Sequence, residues 1–388
     1  MIAAVFISST GFGSVLPILP IFLRERGASY SMVGIIVGAA VIGQLIGQYP
    51  AGWLSDRIGR RTIMVAGLVI AGAGNALFAI PAPIWVLIAL RVVQGLGTGA
   101  FRPGARATIA DLVPPSERGV AYGWFSAASL SGFITGPALG GLLVAAGRSA
   151  VFLATGIATL IAAVVVAAAL RDGVERALPE PVGTETGLGI SWRNAGLRAV
   201  VILSLGTFFL IGVYDVVWSL FMKSIRATDL QVGLSFSLFA LPLVIVTPLA
   251  GWAADHWDRR WTIVASTLGF GLIAPIYPFF PSIPLVITIG VVEAVVAAFS
   301  EPATNGLLMD SVPASVRGSA AGIAGMAEGV GMSVGAFAGG TLFGLGVAVP
   351  FRVMGVVCVG AALASIPSLL ESGKGRRVGG RARMPDDG

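Results

Sequence analysis

Charge is what this chain lacks most. Only 11% of its 388 residues are charged and 56% are hydrophobic, so a soluble fold could not hide the apolar surface. One cysteine, Cys358, excludes an internal disulfide. One histidine, His256, falls in a charged loop, builds no metal cluster alone and reads as a solvated side chain. Three Asn and four Gln offer few partners to a sugar, whose hydroxyls are costly to bury unmet. No Walker loop is present, which argues against direct ATP drive. No nucleophile–base grouping or metal cluster suggests an intramembrane enzyme, and no cofactor is implied. The net charge is +6, but the basic residues are spread over short loops and the tail, so no nucleic-acid partner is expected.

What is present is a repeat. At a shift of 199 residues, Gly52, Trp53, Asp56, Arg60 and Arg61 recur as Gly251, Trp252, Asp255, Arg259 and Arg260. With the same shift Pro103, Asp111, Pro114, Arg118 and Gly119 become Pro302, Asp310, Pro313, Arg317 and Gly318. Gly132, Gly136, Gly140 and Gly141 become Gly331, Gly335, Gly339 and Gly340. Two halves of one architecture follow, as in carriers that rock about a central site.

Twelve apolar segments can be marked, at roughly 2–23, 31–54, 62–80, 84–112, 119–146, 150–170, 198–222, 231–252, 262–280, 284–310, 318–345 and 350–370. Most are long enough to cross a bilayer as helices, and the alternation of membrane strands is absent. The expected fold class is therefore an all-α membrane protein with 12 transmembrane helices in two pseudo-symmetric six-helix bundles, at 1–170 and 198–370. A polar linker, 171–197, joins them, with room for a surface helix around Trp192–Leu197, and a basic tail, 371–388, is expected to be disordered. Met1 runs straight into apolar sequence without a positive leader, unlike a cleavable signal. With both termini in the cytoplasm, inside loops and tail hold 16 Lys and Arg, outside loops 6, and the fourth segment the remaining 3. That bias supports an even number of spans with both ends inside, and the expected place is the inner (cytoplasmic) membrane, as a multi-pass protein.

The loop Gly52-Trp-Leu-Ser-Asp56-Arg57-Ile-Gly59-Arg60-Arg61 closely resembles the G-x-L-x-D-R-x-G-R-R/K motif of the major facilitator superfamily. Its glycines suit a tight turn. Asp56 could meet a helix N-terminus or a basic group of the other half and latch the cytoplasmic side; the charges could also simply anchor the loop at the lipid surface. In the second copy, Asp255, Arg259 and Arg260 persist, but Asp258 replaces Gly59 and alters the latch. Arg118 completes the expected gate. Arg91-Val-Val-Gln94-Gly95 resembles the family's R-x-x-Q-G motif, in which the arginine influences proton transfer. Gly132, Gly136, Pro137, Gly140 and Gly141 resemble the G-x-x-x-G-P-x-x-G-G antiporter motif of exporters, a small-residue stripe bent by proline. Gly11, Pro17 and Pro20 are similar to a first-helix motif of the 12-helix drug:proton antiporter (multidrug efflux) family.

The resemblance implies a monomeric, non-enzymatic secondary transporter whose partners are a small-molecule substrate, the proton and membrane lipid. It also implies that the first, fourth, seventh and tenth helices line the cavity. Residues 1–23 contain no Asp or Glu, although many members carry an acid there. Coupling must then use Asp215, Glu293, Glu301 or Glu328, with Arg91 and Arg102 as basic candidates. A carboxyl group held away from water prefers its neutral form and releases its proton when water reaches it.

Arg91, Gln94, Thr98 and Arg102 share one helix face by spacing. The repeat pairs Arg102 with Glu301, which predicts an interaction across the cavity axis, directly or through substrate or water, in part of the cycle. The alternative is that each is neutralised within its own half. Gln94, Thr98, Phe101, Tyr214, Trp218 and Asn305 are the expected substrate contacts; aromatics with scattered carboxylates suit lipophilic or cationic compounds. Arg102 and Arg106 leave an anionic or lipid-like substrate open. The leading expectation is a proton-coupled exporter working by alternating access. The alternatives are a carrier of sugars, metabolites or lipid precursors, a proton symporter and, from another class, a membrane-embedded enzyme or receptor.

Overall fold

The structure is a computed structural model. It describes residues 1–114, 116–170 and 194–381, without the side chains of Asp56, Ala110 and 373–381. Among the described residues all regular structure is helical. In chain order the helices are α1 (Ile2–Val15), α2 (Leu19–Glu25), α3 (Tyr30–Ile58), α4 (Arg60–Phe78), α5 (Ile84–Leu112), α6 (Arg118–Leu143) and α7 (Arg148–Ala169). Then follow α8 (Ala195–Ser224), α9 (Asp229–His256), α10 (Arg259–Ile273), α11 (Ile283–Ala298), α12 (Ser300–Ser311), α13 (Arg317–Leu345) and α14 (Val349–Arg381). Among the described residues eleven stretches are long and apolar enough to cross a membrane, or twelve if the pair α1 and α2, bent by 43°, forms one span. This is a multi-pass membrane protein.

Local chemistry sets these boundaries. Pro17 and Pro20 lack the N–H groups that would bridge α1 to α2. Ser29 caps α3 by accepting from the Met32 N–H, and Thr228 with Gln231 forms a capping box at α9. Gly59, at φ +102°, makes the turn from α3 to α4 in a conformation that side chains resist. At the matching corner Asp258 takes an extended backbone and caps α10 by accepting from the Arg260 N–H.

Three segment boundaries differ from expectation. The tenth is interrupted at Phe299, because Pro302 has no N–H to offer the Ala298 carbonyl. The seventh starts at Ala195, inside the expected linker, since Asn194 caps it by accepting from the Leu197 N–H. The rest of that linker, 171–193, with Trp192 of the suggested surface helix, lies outside the described residues. The last helix continues past 370 to Arg381, where a disordered tail is expected, and the start of this extension is tied to α8 by the Arg198–Glu371 ion pair at 2.5 Å.

The repeat is visible in the packing. α1 pairs with α6 as α8 pairs with α13, and across the halves α6 meets α9 as α13 meets α3. The apolar core is divided unevenly. Near the end away from the arginine-rich loops, one cluster runs through both halves, joining Phe22, Val33, Phe78 and Phe152 to Val213, Val217, Phe221 and Phe343. Near the arginine-rich end the core splits in two. Val5, Met64, Phe101 and Phe125 belong to the first half, and Val200, Ile263, Leu307 and Ala320 to the second. The halves are thus welded at one end and parted at the other.

Candidate functional site

A cavity of about 790 Å³ lies between the halves. The first turns of α6 and α13 each leave one face open: a carbon added at Gly119 or Gly123 of α6, or at Gly318, Gly322 or Gly325 of α13, would meet nothing within 4 Å. Deeper in, two carboxylates face the space. Glu293 of α11 is only 1% exposed. The Tyr214 hydroxyl lies 3.0 and 3.1 Å from its two oxygens, and the Tyr277 hydroxyl donates to it at 2.5 Å. Trp218 stands edge-on to both tyrosine rings and donates its indole N–H to Ser235 at 2.8 Å. Ring packing therefore fixes the hydroxyls on the carboxylate. Asp215, one residue from Tyr214 on α8, is 9% exposed and lines the same cavity. It has no hydrogen-bond partner among the described residues, and Arg91 of the other half acts on it electrostatically.

Nearer the mouth the walls differ in sign. Arg102 and Arg106 of α5 face the cavity from the first half, while Glu301 of α12 and Glu328 of α13 face it from the second, with Ser300, Thr304 and Asn305. Arg102 donates to the Ser129 hydroxyl at 3.2 Å, and Arg106 lies over the Phe125 ring at 5.7 Å. Arg102 and Glu301 share the cavity without bonding to each other in this state.

Gln94, Thr98 and Phe101 do not line the cavity. Gln94 accepts from Arg91 at 2.9 Å and donates to Asn75 at 3.2 Å. Thr98 returns its hydroxyl proton to the Gly95 carbonyl, and Phe101 is in the first-half core. Arg91 also stands back from it. Helical spacing puts Arg91, Gln94 and Thr98 on one face with Arg102, but of these four only Arg102, nearest the end of α5, lines the cavity. Tyr277, by contrast, was missed; it ends a segment in no motif, and only packing brings it to Glu293.

The gate residues contact their own halves. Arg60 pairs with Asp111, and the repeat reproduces this as Arg259–Asp310 at 2.7 Å. Arg61 donates to the Ala167 carbonyl, Arg118 to the Val113 carbonyl, and Arg57 covers the Trp53 ring. Arg259 also pairs with Asp255 at 2.9 Å, and Arg260 with Asp258 at 2.5 Å. The expected tight turn at Gly52 is corrected: Gly52 and Gly251 lie within helices with nothing nearby. Asp56's side chain is outside the described residues. Each of these gate contacts lies within one half, in keeping with the parted core at this end.

The halves are linked ionically at the opposite end instead. Arg148, at the start of α7, pairs with Glu25 of its own half and donates to both oxygens of Asp229 of the other, at 3.1 and 2.8 Å. Lys223 reaches Asp229 at 3.0 Å. Sequence gave no motif for this cluster; its members only mark helix ends. The antiporter stripe serves two contacts. Gly132, Gly136 and Gly140 lie against α1, while Gly141 meets the backbone of Asp229 and Leu230 in the other half. Beside Pro137, the Ala138 N–H donates to Ser237 of α9 at 3.1 Å.

Residues 1–222 and 200–379 match the family model described as "Major Facilitator Superfamily". The Quinolone resistance protein NorA of Staphylococcus aureus (strain COL) is 25% identical over 307 residues, 70% of this chain and 77% of that protein. Multidrug resistance protein 1 of Bacillus subtilis (strain 168) is 26% identical over 371 residues, covering 94% of each. Among solved structures, a bacterial homolog of the human lysosomal transporter Spinster, inward-facing and occupied, aligns with TM-score 0.78 at 13% identity over 99% of this chain and 97% of its own. The nucleoside transporter NupG aligns with TM-score 0.80 at 12% identity over 95% and 98%. At such identities these two show the shared fold.

Proposed function

The chain belongs to the Major Facilitator Superfamily, so it is a transporter and no enzyme, and from that premise we propose that it exports lipophilic or cationic small molecules in exchange for protons. The observation that carries this reading is the pair of buried carboxylates, Asp215 and Glu293, at the closed end of a cavity whose mouth opens between the parted halves. In this reading the arginine-rich end is cytoplasmic, both termini lie there, and the protein works as a monomer in the inner membrane. Substrate enters from the cytoplasm. The halves at 1–170 and 198–370, with their linker and tail, rock about the cavity, and protons arriving from the other side reset the acids.

Each acid has a distinct part. Glu293 is held by two tyrosine hydroxyls, whereas Asp215 has no hydrogen-bond partner among the described residues. Water reaching one and leaving the other would change how many protons the pair holds. The relatives named for quinolone and multidrug resistance support export of drug-like compounds, and the aromatic walls suit planar amphipathic substrates.

The test uses purified protein in liposomes with an imposed pH gradient and a panel of cationic, anionic and neutral dyes. Gradient-driven movement should occur in the wild type and vanish in Glu293→Gln and Asp215→Asn. Undiminished pH-driven transport in both variants would remove these acids from coupling. Movement down a concentration gradient alone, unaffected by pH, would remove proton exchange altogether.

A further inference from the structure

We propose that the preferred substrate is an amphipathic zwitterion, its anionic group seated on Arg102 and Arg106 and its cationic group facing Glu301 and Glu328. This deepens the export reading and rests on it for the direction of movement, but it concerns binding and is tested separately.

The argument starts from charges left without partners. All four side chains line one cavity. Neither arginine forms an ion pair among the described residues: Arg102 has the neutral Ser129 hydroxyl, and Arg106 has the face of Phe125. Glu301 and Glu328 accept no hydrogen bond from any described residue. The two arginines act on each other electrostatically, and so do the two glutamates. Each wall therefore repels itself and is relieved by an opposite charge from outside.

The signs are segregated by half. A simple cation would satisfy the glutamates and meet repulsion from the arginines; a simple anion would do the reverse. A molecule with both charges answers both walls, and discrimination against the others comes from the unmet wall. Phe133, Phe208, Phe236 and Phe239 line the same cavity and supply apolar contact for the body of the ligand. The volume is that of a drug-sized site. A separate observation also points to a ligand. Asp215 is more than nine-tenths buried, faces the same space and has no hydrogen-bond partner, so a second cationic or donor group on the substrate has an acceptor deeper in.

The matched probes are rhodamine B, a zwitterion at neutral pH, and its ethyl ester, a cation with the same ring system. Binding to the purified protein in detergent is read by fluorescence polarisation. The wild type should bind rhodamine B more tightly than the ester. Arg102→Gln should weaken rhodamine B roughly tenfold relative to the ester, the scale of a lost charge-assisted hydrogen bond. Arg102→Lys should restore most of the preference, and Glu301→Gln should weaken both dyes. If Arg102→Gln shifts the two dyes equally, or neither, the proposal falls; the same result is expected if these charges only pair with one another when the mouth closes. The variants are then placed in liposomes with a pH gradient. Selective binding without gradient-driven movement of either dye would defeat the export reading and leave this one standing. Gradient-driven movement with no difference between the dyes would do the opposite.

Discussion

Asp229→Asn should tilt the molecule toward the state open at the end away from the arginine-rich loops. Asp229 is contacted by Lys223 at 3.0 Å and by Arg148 at 2.8 Å. Lys223 and Asp229 both belong to the second half, so their bond persists however the halves move and cancels in the comparison. Arg148–Glu25 likewise lies within the first half. Only the two-pronged Arg148–Asp229 contact is broken by rocking. Charge-assisted hydrogen bonds contribute about 1.5–3 kcal/mol when well sheltered. Here Arg148 is 21% and Asp229 17% exposed, and the parted groups regain water, so about 1–2 kcal/mol is the reasonable share. That is roughly a five- to thirtyfold change in the ratio of the two states.

The assay is a spin-label distance measurement across the far-end mouth, in a background where Cys358, the one native cysteine, is already buried. The long-distance population should grow in Asp229→Asn and in Arg148→Gln. The double variant should add little to either single one, since both remove the same contact. An unchanged distance distribution, or growth of the short-distance population, would refute the claim that this contact holds the far end shut.

Three further outcomes are expected. Tyr277→Phe deprives the buried Glu293 of its 2.5 Å donor and should lower stability by about 1–3 kcal/mol; an unshifted melting temperature in detergent would show that the hydroxyl is replaceable. Gly34→Leu should weaken far-end closure by about 1–3 kcal/mol, because a carbon added there would lie 2.5 Å from the Ala336 carbonyl oxygen of the other half; Gly322→Leu, facing open space, should be tolerated in this state, and equal effects in distance measurements would contradict the packing. Cys358, fully buried beside the Gly206 carbonyl, should resist maleimide until the protein unfolds; rapid labelling of the folded protein would place it elsewhere.

Composition, the 199-residue repeat and the apolar runs determined the class of protein, the number of spans and the pairing of the halves. Those properties follow from local rules: a lipid-facing backbone must satisfy itself in helices, and a duplicated sequence repeats its packing, as Arg60–Asp111 and Arg259–Asp310 do. Spacing also found the acids, because an ionisable residue amid twenty apolar ones stands out. Which of them share a space was decided only in three dimensions. Helical periodicity reports a direction around an axis, and not whether that direction meets a cavity or another helix at a given depth. Gln94 and Arg102 therefore share a face, yet one is bonded inside a bundle and the other stands at an open wall. Tyr277 meets Glu293 across the turn between two successive segments of one half, and Arg148 meets Asp229 across the two halves. The first depends on how two helices of one half pack, and the second exists because the halves lean together at one end, a geometry set by the sum of packing across the interface and written in no single stretch of the chain.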